Sequence, residues 1–248
     1  MSGPWRLLEG PAGSLRLYSS TTPGSEPGRL LLLCHELPLV PGEAPTIGRT
    51  FPALADRLAH ESGWRAATAT LRGAGGSEGD FSVEGWLEDL RFVLDHERTG
   101  DEGVHVVGFG LGGALALRVA AQAQWITGVA VLGTPNDLAP WSKDPDALLQ
   151  RCQASGVVGR AGFPDDVVAW AQQLDEIRPE EAVGDLGDRP LLVIHGTEDG
   201  EVPAAAAAAL AQAARGPVQL RVVGGAGHWL RADPRVVATL IGWLERQR

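Results

Sequence analysis

The sequence predicts an α/β fold: a doubly wound, mostly parallel sheet with a short helical cap. Three observations carry that expectation. Leu30-Leu31-Leu32-Leu33-Cys34 is a continuous apolar run, the pattern of a strand buried on both faces. Runs of this kind alternate with segments of helical spacing, and that alternation calls for a parallel sheet covered on both sides. Between residues 104 and 117 a strand passes through clustered glycines straight into an Ala/Leu-rich helix. A chain of 248 residues is long enough for one substantial core, so residues 1–248 are read as a single domain.

The remaining elements follow in order. Phe51, Leu54, Ala55 and Leu58 share one face of a helix over 51–60, and 64–71 reads as a second strand. Trp86, Leu87, Leu90, Val93 and Leu94 mark an amphipathic helix ending near His96. Residues 104–107 form the strand before the glycines and 114–123 the helix after them. Strands are expected at Ile126–Leu132, 191–194 and 220–223. Residues 204–214 are almost all alanine, the strongest helix former, and 236–246 close the chain as a helix. Residues 136–188 contain no clear strand but hold Trp141, Phe163 and Trp170, so they are expected to form the inserted cap. Gly156, Gly159, Gly162 and Pro164 would mark its turns. Residues 21–28 read as a surface hairpin loop.

Composition narrows the partners. A net charge of −10 and a pI near 5.0 disfavour nucleic acid and anionic membranes. No apolar run reaches membrane-spanning length, and the N-terminus lacks the apolar core of a signal peptide, so the cytoplasm is the expected location. Cys34 and Cys152 cannot by themselves form a disulfide framework or a four-ligand zinc site; Cys34 reads as a small buried hydrophobe of its strand, and Cys152 in the cap has no evident activating partner. His60, His96 and His105 lack metal-ligand spacing and read as surface or edge residues. No metal or cofactor is expected. Lys143 is the sole lysine, which with the alanine and glycine excess points to a high-GC bacterial genome.

Three segments carry chemistry. Gly108-Phe109-Gly110-Leu111-Gly112 has the strand-to-helix setting of the nucleophile elbow, Gly-x-Ser-x-Gly, but its central residue is Gly110. Asp199, in His195-Gly196-Thr197-Glu198-Asp199, and His228, after Gly227, each follow a strand. Their chain order is that of the acid and histidine of a catalytic triad, and all three loops belong at the carboxyl edge of the sheet. Asp137 is a lesser candidate for the acid. Gly108, Gly110 and Gly113 also satisfy the dinucleotide pattern Gly-x-Gly-x-x-Gly. The following strand ends without the ribose-binding acid that pattern requires.

These segments, with His35 after an apolar strand and Arg72-Gly73-Ala74-Gly75-Gly76-Ser77, resemble the α/β-hydrolase superfamily over nearly the whole chain. The resemblance implies an Asp199–His228 dyad and an oxyanion pocket from the backbone N–H groups of Leu111 and Leu37. It implies a binding pocket that includes His35, Glu36, Trp141 and Trp229. Two departures stand against ordinary hydrolysis. Gly110 has no hydroxyl, and loss of a triad nucleophile costs on the order of 10⁶ in kcat. Glu36 replaces the glycine usual after this histidine, and a carboxylate there opposes a developing oxyanion. Glycine at the elbow also occurs in the N-myc downstream-regulated proteins, which resemble the same superfamily.

Three functional readings follow. The first is a serine-less homologue that binds a small apolar ligand, or a protein partner, without acyl-enzyme chemistry. The second is a lyase or other general-base enzyme working through the His–Asp dyad. The third is an ordinary serine ester hydrolase carrying an engineered Ser-to-Gly change at position 110.

Overall fold

The computed structural model describes residues 4–22, 29–100 and 103–247. Eight strands form one sheet: β1 (Trp5–Gly10), β2 (Gly13–Ser20), β3 (Leu30–Cys34), β4 (Arg65–Thr70), β5 (Val104–Phe109), β6 (Ile126–Leu132), β7 (Leu191–Gly196) and β8 (Val218–Val223). Their spatial order is β1-β2-β4-β3-β5-β6-β7-β8. The pairs β1–β2 and β2–β4 are antiparallel and every other pair is parallel. The expected fold class is therefore observed. The antiparallel edge is an addition. Leu15 and Leu17 alternate with Arg16 on β2, a half-buried pattern that a search for continuous apolar runs passes over. Strands β3, β5 and β7 are buried at every residue, as their composition requires.

Helices α1 (Ile47–Ser62), α2 (Val83–Glu97), α3 (Gly110–Gln122), α8 (Ala205–Ala213) and α9 (Pro234–Glu245) cover the sheet, with α4 (Ala139–Ser142), α5 (Pro145–Ser155), α6 (Val167–Gln172) and α7 (Pro179–Gly184) between β6 and β7. Their ends follow local chemistry. Ser82, Asp144, Asp166 and Asp233 each accept a backbone N–H in the first turn of α2, α5, α6 and α9, and Gly63 ends α1 in the left-handed region. Helices α4, α5 and α6 pack on one another, whereas α7 packs on α3 and α8. The segment expected as an insertion thus contributes its last helix to the layer that flanks the sheet. Residues 23–28 of the loop expected at 21–28 lie outside the described residues.

One expectation is corrected. His105 is buried, not at the surface: it lies edge-on to Trp64, with ring centroids 4.8 Å apart, and against Trp243 at 5.5 Å. As the second residue of the central strand β5 it is covered on both sides of the sheet. Burial holds it neutral, with its pKa pushed down to about 4. His60 and His96 are exposed, as expected.

Strand order fixes where a site can form. The chain leaves β3 to one side to make β4, then returns to the other side to make β5. That reversal opens a crevice at the carboxyl ends of β3 and β5. Cys34 pairs with Gly108, so the register carried two residues further places Glu36 beside Gly110.

Candidate functional site

Gly110 opens α3 with φ +50°, the left-handed conformation of an elbow residue. A Cβ placed there would sit 3.0 Å from Glu36 Cβ and 3.5 Å from His228 Nε2. A side chain at this position would therefore point toward the histidine, and glycine avoids the strain that this φ imposes on other residues. Gly112 is required for a different reason: any Cβ there would lie 2.2 Å from the His35 carbonyl oxygen, so only glycine lets α3 approach β3 so closely.

His228 and Asp199 meet. Nδ1 of His228 lies 2.8 and 3.0 Å from the two Asp199 carboxylate oxygens. Asp199 is itself held by the backbone N–H groups of Glu201 and Val202, both at 2.9 Å, and by His195 Nε2 at 3.3 Å. Its side chain is fully buried. Burial favours the neutral acid, but the hydrogen bonds from His195, His228 and the Val202 N–H outweigh it and hold Asp199 well below the usual carboxylate range. Burial draws the His228 pKa down, while the bond to Asp199 and its charge reverse the sign, so the net shift is upward. Asp137 instead accepts the Ala139 N–H at 2.9 Å and takes no part in this pair.

Glu36 faces the same space and is 4% exposed. Its carboxylate pairs with Arg231, which also approaches Glu43 at 3.7 Å and stacks over the Phe51 ring at 5.6 Å. Burial raises the Glu36 pKa, and Arg231 only partly counters it. Glu43 in turn accepts the Leu39 and Val40 N–H groups, at 3.2 and 3.3 Å. A single guanidinium thus ties the loop after β3 to the turn after His228. Arg231 and Glu43 were not expected from the sequence. Arg231 lies 195 residues from Glu36, and no local pattern links them.

Glu36, Glu43 and His228 line a cavity of about 330 Å³. Its wall includes Leu37, Leu39, Val40, Trp141 and Trp229, with the carboxylates of Glu36, Glu43 and Glu201. Of the expected pocket residues, Glu36, Trp141 and Trp229 line it, and Leu37, expected as an oxyanion donor, lies in the same wall. His35 is not, which corrects the expectation. It is fully buried behind the floor of the cavity, where Nε2 accepts the Leu71 N–H at 3.0 Å and Nδ1 donates to the Glu36 carbonyl at 2.8 Å. Both ring nitrogens are committed to backbone, and burial lowers its pKa to about 4. Its role is to fix the shape of the Glu36 loop. Leu111, the second residue of α3, is fully buried. Cys34 and Cys152 are buried thiols, each raised to about 12 chiefly by burial. Among the described residues no cluster of three or more His, Cys, Asp or Glu side chains is arranged to hold a metal ion, and no helix is long and apolar enough to cross a membrane.

Residues 39–240 match the alpha/beta hydrolase family, and the chain belongs to that family. A comparison with curated protein sequences gives no match. Among solved structures, the chain is similar to an alpha-beta serine hydrolase homologue from Coxiella burnetii, with 20% identity, a TM-score of 0.64 and coverage of 100% of this chain and 98% of that one. It is similar to a meta-cleavage product hydrolase from Pseudomonas fluorescens (18% identity, TM-score 0.70, 98% of each chain). It is also similar to Est1E from Butyrivibrio proteoclasticus, solved with ferulic acid bound (18% identity, TM-score 0.71, 98% and 97% covered). At these identities the likeness is one of fold.

Proposed function

We propose that this chain binds a small, mostly apolar molecule in the pocket beneath α4 and that it does not form an acyl-enzyme. The observation that carries the reading is the pair of residues meeting at the elbow: Gly110 supplies no nucleophile, and Glu36, its carboxylate held by Arg231, lies against the place a side chain at 110 would occupy. Negative charge at that point raises the barrier to carbonyl attack instead of lowering it. A cavity of about 330 Å³ with apolar and indole walls suits a small ligand. In this reading α4 to α6 act as the cap, with Trp141 as its contribution to the wall. The wild-type protein is to be incubated with p-nitrophenyl esters and a fluorophosphonate probe. Background turnover and no labelled residue are expected; brisk turnover with covalent labelling would sink the reading.

A second reading has its own observation in support. The His228–Asp199 hydrogen bond measures 2.8 Å, and His228, whose Nε2 lies on the Gly110 side, lines the cavity. An imidazole so oriented is competent to remove a proton from a bound ligand or water without any covalent intermediate. Under that reading Asp199 holds the ring and its tautomer. Any turnover found for a pocket ligand should then vanish in His228→Ala, and turnover that survives the change would exclude this role.

A further inference from the structure

We propose that the pocket selects a small organic cation, a protonated or quaternary amine on an apolar body, with the positive head set against Glu36. The proposal rests on the ligand-binding reading above and adds the charge of the ligand to it.

The polarity of the site is the reason. The wall of this cavity carries the Glu36 side chain, whose carboxylate attracts a donor or a positive charge. The Glu36 side chain is 5% exposed, yet it forms part of the cavity wall. Its countercharge does not share that position. Arg231 is absent from the wall and stands behind it, 12% exposed. Among the described residues no lysine or arginine lines the cavity, and His228 is the only basic side chain that does.

The local charges do not cancel. Arg231 serves both Glu36 and Glu43, so one negative charge in that cluster is left over. Glu201 at the rim is matched by Arg151 at 2.8 Å, and protonated His228 would at most balance Asp199. A single ligand cation would neutralise the remainder. A ligand anion would add to it, in a partly desolvated setting where like charges are costly. The walls agree with this sign. Trp141 and Trp229 offer indole rings, whose faces attract ammonium groups, and Leu37, Leu39 and Val40 receive the apolar body. The net charge of −10 draws cations toward the molecule from further away.

The test uses three probes with a common phenyl body: phenethylammonium, 2-phenylethanol and phenylacetate, titrated calorimetrically into the wild-type protein at pH 7 and low salt. The ammonium should bind about tenfold more tightly than the alcohol, and the carboxylate more weakly than either. Glu36→Gln, checked for folding by circular dichroism, should remove the advantage of the ammonium over the alcohol. Trp229→Ala, at a residue 54% exposed and so free of any structural burden, should weaken both. Equal or tighter binding of the alcohol or the carboxylate overturns the proposal, as does an ammonium preference that survives Glu36→Gln. If the alcohol binds as well as the ammonium and Trp229→Ala weakens it, the cation assignment fails while the ligand-binding reading stands. Binding of none of the three overturns the cation assignment, and the ester and fluorophosphonate assays still judge the reading beneath it.

Discussion

Replacing Gly110 by serine is the most direct perturbation of the site, and the structure predicts that it will not restore a hydrolase. A β-carbon at 110 would lie 3.5 Å from His228 Nε2, so a hydroxyl one bond further out is within reach of the base. The same β-carbon would lie 3.0 Å from Glu36 Cβ, closer than two carbons pack without one of them moving. Glu36 is held by Arg231 and does not yield freely. A non-glycine residue at φ +50° costs about 1–2 kcal/mol, and overpacking adds about 1–3 kcal/mol, so Gly110→Ser should destabilise the fold by about 2–5 kcal/mol. For a chain of this length that lowers the melting midpoint by about 5 °C or more. Activity should stay low, because under the proposed reading the Glu36 carboxylate beside position 110 opposes a developing oxyanion; losing oxyanion stabilisation costs about 10²–10³ in kcat. Adding Glu36→Gly removes both the clash and the charge, and Arg231 retains Glu43 as a partner. Gly110→Ser/Glu36→Gly should therefore hydrolyse p-nitrophenyl butyrate at least about 10²-fold faster than Gly110→Ser, with fluorophosphonate labelling at position 110. If Gly110→Ser alone matches the double variant in rate, or if its melting midpoint equals that of wild type, Glu36 does not obstruct the elbow and the reasoning fails.

Three further predictions follow from side chains at and around the site. Asp199 is depressed and His228 raised, so Asp199 stabilises the fold above the unfolded carboxylate pKa of about 3.9, and His228 does so below the unfolded imidazole value of about 6.5. The stability lost in Asp199→Asn should therefore be largest between about pH 4 and 6.5, shrinking on both sides; a loss that does not vary with pH in urea titrations would contradict the pairing. His105 is held neutral down to about pH 4, so unfolding, which frees it to protonate, becomes easier as pH falls from about 6.5. His105→Phe should flatten that part of the stability profile, and an unchanged slope would count against a buried neutral imidazole. Away from the pocket, Arg72 donates to buried Asp89 through Nε at 3.0 Å and through a second guanidinium nitrogen at 2.7 Å, so Asp89→Asn should cost about 3–5 kcal/mol in denaturant titration. A cost below about 1 kcal/mol would show that the pair is readily dispensed with.

Particular residues show how far the sequence could be read. The all-leucine strand β3 and the Val-rich strand β5 were legible because a strand buried on both faces has no polar alternation to confuse. The antiparallel strands β1 and β2 were not, since a partly exposed antiparallel strand mixes Arg16 with Leu15 and Leu17 and resembles a loop. His35 was placed in the pocket on the strength of its neighbours in sequence, but successive residues leaving a strand point opposite ways, and Glu36 took the pocket side while His35 turned inward. His105 was read as an edge residue because polarity argues for exposure, whereas its position in a central strand decides burial.

The sequence by itself determined the parallel part of the sheet, its covering helices, the glycine-rich strand-to-helix turn and the two loops that bring Asp199 to His228. All of these follow from local apolar continuity, from glycine placement, and from the rule that loops at one edge of a parallel sheet converge. What only the tertiary structure decided is the electrostatics of the space above Gly110. Glu36 and Arg231 are 195 residues apart, and their pairing depends on which loops the strand order places side by side. An ion pair of that kind leaves no periodicity in sequence, because it arises from contact between distant segments and not from the repeat of any one of them.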